Sequence, residues 1–438
     1  MSQPRIVLPI TTIQPDFESI LTDVKDGIVP EDTFWVSCYK TGEQSVHGKA
    51  HLTLNERDRD VREYAAACPS LGISHTRVAV PAKTYADPLP QVEKDTYRKI
   101  SAFDIAPDGS QFAAGYDDGT VYMVSSASSS TPPIVARKCH LSSVTSVKYF
   151  PSSRVLLTAG ADFALNILPA DLPSASSPSK DPIRITPVRT LKAHTRTVTC
   201  TGIISRGRTV LSGSKDATLR LWDVSSGASI RTLASGGLKP VLALSLGGPS
   251  ENAFVAPPDG DSPAVNVQLD PREVDTQDKV VFCALDSGAF QAFDLGTKAS
   301  VFHSQGPTSA PLHAIAYAPA HHLVATGSGV GVVDVYDTRL LGTPLVSFGR
   351  NGASIEDLDF VSLSQSTGDA EVGLAIATED GLPYVANVRP EGPSVRAELI
   401  VTDCEAVRSV CVGPGAGIVW TAGDDGVVRR YEGLSEEK

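Results

Sequence analysis

The sequence predicts an all-β protein, a seven-bladed β-propeller preceded by a small β-containing N-terminal domain. Two observations carry this. One unit, with alternating apolar residues and a set of polar positions, recurs at roughly 40–45 residues, the spacing at which small sheets stack on copies of themselves to bury both faces. A tight turn, often rich in Gly and Asp, falls at the same place in each copy, between two strand-like runs.

The fullest copy runs from His194 to Asp223, HTRTVTCTGIISRGRTVLSGSKDATLRLWD, and resembles a WD40 repeat. In such a unit Asp216, in the turn between the second and third strands, bonds His194 ahead of the first. His194 reaches Ser212 on the second strand, and Ser212 bonds the indole of Trp222 on the third, so buried polar groups satisfy one another. Aligning on Asp216 gives equivalent positions at Asp118, Asp162, Ser287, Val330, Asp380 and Asp425, hence seven blades. The strand-two hydroxyl recurs as Thr158, Thr326 and Thr421 and is Ala114, Cys283 and Ile376 elsewhere. The strand-three aromatic becomes Phe293, Tyr336 or Tyr431, so only the third blade is expected to hold all four residues.

Residues 1–90 lack the repeat and are assigned to the N-terminal domain, with strands at DTFWVSCYK and SVHGKAHLTL before the charged NERDRDVREY. The propeller takes residues 91–434 and leaves a short tail at 435–438. Because VVRRY is the third strand of the last blade, an upstream segment must supply the fourth. The β-branched run ISHTRVAV at 73–80 is the expected donor, removing an exposed edge. Two inserts are expected to be loops: the Pro- and Ser-rich 169–187, too polar to pack, and the long 247–279, expected to be mobile.

With 38 basic and 50 acidic residues the net charge is −12, which disfavours nucleic acid and anionic lipid and favours a basic protein partner. No secretory signal or apolar run of membrane-spanning length is read, so a soluble chain is expected. Seven scattered cysteines, none spaced as CxxC, point to reduced thiols in cytoplasm or nucleus.

Beyond the repeat, the chain resembles the proteasomal ATPase-associated factor family. The similar segments are SVTSVKYFPSSRVLLTAGADFALNI, IISRGRTVLSGSKDATLRLWD, PREVDTQDKVVFCALDSGAFQAFDL and the terminal DDGVVRRY, with WVSC followed by SVHG near the start. That resemblance implies a non-enzymatic chaperone for assembly of the proteasome regulatory particle base. Its partner would be the C-terminal domain of an ATPase subunit, bound in assembly intermediates and released before the mature particle forms.

Independently of the family, the residue before each turn position should lie on one face of the disc: Asp117, Ala161, Lys215, Asp286, Gly329, Glu379 and Asp424. Four of the seven are acidic, which predicts a face that attracts a basic partner, although Asp and Glu also suit tight turns for structural reasons. Arg98, Arg196 and Glu405 enter the same face from the loops ahead of the first strands, and Tyr116 is the best aromatic anchor.

Trp222 reads as a core member of the four-residue network, Trp420 as packing between blades, and Trp35 belongs to the N-terminal domain. His47 and His51, His321 and His322, and the GSGVG at 327–331 match no metal or nucleotide motif. No catalytic residue, cofactor or metal is expected, and the free chain should be a monomer. Two rivals stand beside the chaperone reading. One is a general scaffold, such as a ubiquitin-ligase substrate receptor or a chromatin-peptide reader. The other is a hydrolase or oxidoreductase with its site in the central channel, for which clustered inward carboxylates or histidines are the discriminating feature.

Overall fold

Alternating runs of β-branched and small apolar residues form seven consecutive antiparallel sheets of at least four strands, each beginning on an innermost strand. The innermost strands are Ile100–Ile105, Val144–Tyr149, Val198–Ile204, Val241–Gly247, Leu312–Ala318, Ile355–Ser362 and Val407–Val412. These are blades 1 to 7 of a propeller, as the sequence predicts. The computed structural model describes residues 5–53, 63–87, 98–127, 131–173, 181–249, 270–306, 310–363, 371–389, 392–401 and 405–435.

Second strands such as Gln111–Tyr116, Thr209–Ser214 and Val280–Leu285 are buried at every position. Each is covered on both faces by neighbouring blades, so its sequence is a continuous run of buried residues. Between blades 2 and 3, for example, Trp222 and Val210 pack with Leu157, Leu165 and Ile167.

Every innermost strand carries a bulge after its first residue. The residue left out of the ladder is Ser101, Thr145, Thr199, Leu242, His313, Glu356 or Arg408 in turn. Bulges re-aim side chains, and here several of them tie one blade to the next. Ser101 donates its hydroxyl to the Val144 carbonyl at 2.7 Å, and Thr199 to that of Val241 at 2.8 Å.

The last blade is completed by Lys83–Tyr85, antiparallel to Val428–Tyr431. This corrects the expectation for residues 73–80. Ile73–Ala79 instead lies parallel to Ser394–Leu399 of blade 6 and carries Glu63–Cys68 on its other side, in a six-stranded sheet. Its β-branched content reflects an interior place in that sheet, whereas a closing edge needs only three residues. Tyr85 fixes the closure by stacking on Trp420 at 5.7 Å and donating its hydroxyl to the Ser126 carbonyl of blade 1 at 2.7 Å.

Residues 1–90 therefore do not stand apart. Ile6–Val7 extends blade 5, pairing parallel with Val346–Gly349. Ile10–Ile13, Glu31–Tyr39 and Val46–Thr53 form a three-stranded sheet. Its core gathers Phe17, from the helix Phe17–Lys25, with Phe34 and Val80. This unit joins the propeller at a buried ion pair: Arg350 grips Glu398 through two hydrogen bonds of 3.0 and 2.7 Å, and Glu398 accepts the Thr11 amide at 2.8 Å.

Both inserts pack more than expected. Ile183–Arg184 pairs with the outer strand of blade 1, and Leu172 and Ile185 reach its core. Glu273, from PREV, is buried against Arg231 at 2.8 Å, while 174–180 and 250–269 lie outside the described residues, as does most of NERDRDVREY.

Candidate functional site

One hydrogen bond, repeated in all seven blades, places the residue that precedes each turn. Its amide donates to a carbonyl of the loop entering the first strand. The pairs are Asp117 to Lys99, Ala161 to Ser143, Lys215 to Thr197, Asp286 to Pro240, Gly329 to Pro311, Glu379 to Ser354 and Asp424 to Ala406, at 2.9 to 3.2 Å. The seven residues are structurally equivalent and lie on one face, called here the top.

Asp117, Lys215, Asp286, Glu379, Arg196 and Glu405 are exposed there, and Arg98 is half-buried. Two expectations need correcting. Tyr116 is only 2% exposed, because the last residue of this strand points between sheets; the guanidinium of Arg98 covers its ring at 4.5 Å and pairs with Asp87. Asp424 is buried and neutralised by Arg408 at 2.9 Å and Lys99 at 3.0 Å. Burial alone would raise its pKa, but those bonds hold it below its ordinary value. The exposed carboxylates of the anticipated ring are thus Asp117, Asp286 and Glu379, joined by Asp118 and Glu405.

The apolar anchors are residues the sequence reading passed over. Leu141 is 88% exposed, and its amide donates to Asp162 at 3.0 Å, so it stands at the same corner as Phe163, which is 42% exposed. Phe163 has φ +69°. Gly occupies this left-handed position in five blades and Ala217 in blade 3. A bulky residue there is a true conformational outlier, and such strain concentrates at functional sites. The signal was legible as Phe at a position otherwise held by Gly or Ala. Val330 adds a third exposed apolar side chain at the blade-5 turn.

The network in blade 3 is as expected. His194 meets Asp216 at 2.8 Å and Ser212 at 2.7 Å, and the Trp222 indole donates to Ser212 at 2.8 Å. Blade 2 holds a second version that the sequence reading missed: His140 meets Asp162 and Thr158, both at 2.9 Å. Its signal was spacing, since His140 precedes Asp162 by the same 22 residues that separate His194 from Asp216.

A channel of about 680 Å³ runs through the centre, lined by the innermost strands. Three inward carboxylates cap an amide of the following blade: Asp104 that of Tyr149 at 2.7 Å, Asp357 that of Val410 at 3.1 Å, Asp359 that of Val412 at 2.8 Å; Glu356, also on the channel wall, pairs with Arg408 at 2.9 Å. Burial pushes Asp357 up to about 7 and Asp359 to about 6. Lys148 pairs with Asp104 at 3.0 Å. Among the described residues no three His, Cys, Asp or Glu converge as metal ligands, and no helix is long and apolar enough to cross a membrane. The six described cysteines are free, and Cys404 lies outside the described residues.

Comparison with known proteins agrees with this geometry. The WD domain, G-beta repeat family matches residues 92–125, 132–167 and 185–223. Three consecutive segments of the chain thus match the WD40 repeat. It is 36% identical over 87 residues to nuclear distribution protein nudF of Aspergillus niger, covering 19% of each chain. To human NACHT domain- and WD repeat-containing protein 1 it is 30% identical over 151 residues, 34% of this chain and 8% of that protein. To human WD repeat-containing protein 18 it is 48% identical over 46 residues, 10% of this chain and 11% of that one. The chain thus matches less than a fifth of the length of each relative. Repeats of this kind imply a scaffold for protein partners.

Proposed function

We propose that this protein is an assembly chaperone of the proteasome regulatory particle base, binding the C-terminal domain of one ATPase subunit with its top face. The observation that carries the reading is the composition of that face. Exposed Asp117, Asp118, Asp286, Glu379 and Glu405 surround a rim bearing Leu141, Phe163 and Val330. Such a surface fits a basic partner presenting apolar side chains, with charge setting the encounter rate and the apolar contacts the lifetime. The family resemblance of the sequence supplies the identity of the partner. Work in cytoplasm and nucleus, without chemistry on the partner, belongs to the same reading.

The test titrates the purified protein against each isolated proteasomal ATPase C-terminal domain across a range of salt. Tight binding to one, weakened about tenfold or more by D117K/D286K/E379K with a flatter salt dependence, is the expected outcome. Asp424 is left out because its charge is internally neutralised. Phe163→Gly should accelerate dissociation while relieving strain, so affinity falls as stability rises. Absence of binding to every domain would leave a general scaffold with a different basic partner.

A further inference from the structure

We propose that the open edge and outer face of the N-terminal sheet bind an extended acidic peptide by strand addition. This surface is separate from the propeller top. Val46–Thr53 is the last strand of its sheet, and among the described residues no other strand pairs with its far side. Edges are usually blunted by brevity, charged side chains, proline or a bulge, and Lys49 is the one charged side chain on this edge. This one is eight residues long, has no proline and pairs with Glu31–Tyr39 in unbroken register.

Its side chains alternate between the two faces of the sheet. His47, Lys49 and His51 are exposed on one face, one lysine between two imidazoles, in a chain of net charge −12. Beside them on the neighbouring strand stand Trp35, 51% exposed, and Tyr39, 40% exposed. Lys49 lies over the Trp35 ring at 5.2 Å, and His47 meets Tyr39 edge-on at 5.7 Å. The patch thus offers aromatic contact area, positive charge and unpaired backbone groups side by side.

Those backbone groups decide the class of partner. A peptide strand matches their alternating donors and acceptors and places every second side chain against the Lys49 face. Nucleic acid also suits aromatic and basic residues, but it has no such peptide backbone to pair with the open edge. A second copy pairing antiparallel about Lys49 would set Lys49 against Lys49. An extended segment with carboxylates at alternate positions meets all three requirements.

The test uses the full chain and four labelled probes followed by anisotropy: an end-blocked Glu-Val-Glu-Val-Glu-Val-Glu peptide, its Lys counterpart, the Glu peptide N-methylated at alternate amides, and decauridylate. The Glu peptide should bind, N-methylation on the face that pairs should weaken it about tenfold or more, and K49E and W35A should each do likewise. Both positions are exposed, and circular dichroism checks that the variants fold. D117K/D286K/E379K should leave this binding unchanged, separating it from the top face. The proposal is overturned if no probe binds, if decauridylate binds in place of the Glu peptide, if the Lys or N-methylated peptide binds equally well, or if K49E and W35A have no effect.

Discussion

Blades 2 and 3 are built from nearly the same parts, yet their histidines are shifted in opposite directions. In blade 3 the indole of Trp222 donates to Ser212, whose own proton then goes to the Nε2 atom of His194. This arrangement favours the neutral form of His194, with Nδ1–H donated to Asp216. Burial, abetted by the charge of Arg220, holds its pKa below the ordinary value despite Asp216. In blade 2 the strand-three position is Leu168, and Thr158 turns its hydroxyl to the Asn166 carbonyl at 3.4 Å. Thr158 is free to accept from His140. Burial opposes the charge there, but Asp162 and Cys139 outweigh it and lift His140 to about 9. The tryptophan of the network thus also favours a neutral histidine beside it, and an Arg in place of Asn reinforces it.

The largest expected effect falls on blade 2. Asp162→Ala strips a buried imidazolium of its counter-ion and should cost about 3–4 kcal/mol at pH 7, near the lower range for broken buried pairs. Asp216→Ala orphans neutral groups and should cost about 1–3 kcal/mol. Urea midpoints compare the two, and equal losses would break the contrast.

The next effect is in pH. His140 has a raised pKa, so its stabilisation is complete below about 6.5 and fades as pH rises through about 9. The pKa of His194 is lowered, so its effect is the reverse: stability is lost as pH falls below about 6.5. Melting-temperature differences from wild type should therefore depend on pH at the alkaline end for H140Q and at the acid end for H194Q. Matching profiles would sink the assignment.

Trp222→Phe keeps most of the packing and removes one donor, costing about 1 kcal/mol. It should also raise the His194 pKa, because Ser212 no longer has to donate to it. Arg220→Asn should raise that pKa by a smaller amount, and proton NMR titration of the imidazole reads both shifts.

The number of blades and the top-face positions were legible in the sequence because a turn, a bulge and a hydrogen bond recur at fixed spacing. What was missed depends on partners far along the chain. Asp424 looks like any other turn carboxylate until Arg408 and Lys99 are seen to converge on it. Residues 73–80 have the stronger strand propensity, so they drew the assignment that belongs to Lys83–Tyr85. Tyr116 was misread for want of knowing which way the end of its strand faces, while His140 and Phe163 were in plain view.

The closing strand has a consequence for how the protein comes into being. Lys83–Tyr85 leaves the ribosome early, yet its partner Val428–Tyr431 lies more than 340 residues downstream. Until that late strand arrives, blade 7 lacks its third strand, and nothing pairs with Lys83–Tyr85 to hold Tyr85 in the aromatic seam with Trp420 and Phe112. Contacts of such long sequence separation form slowly. A nascent or truncated chain therefore presents an open ring, and a finished top face exists only on a molecule translated through its last blade.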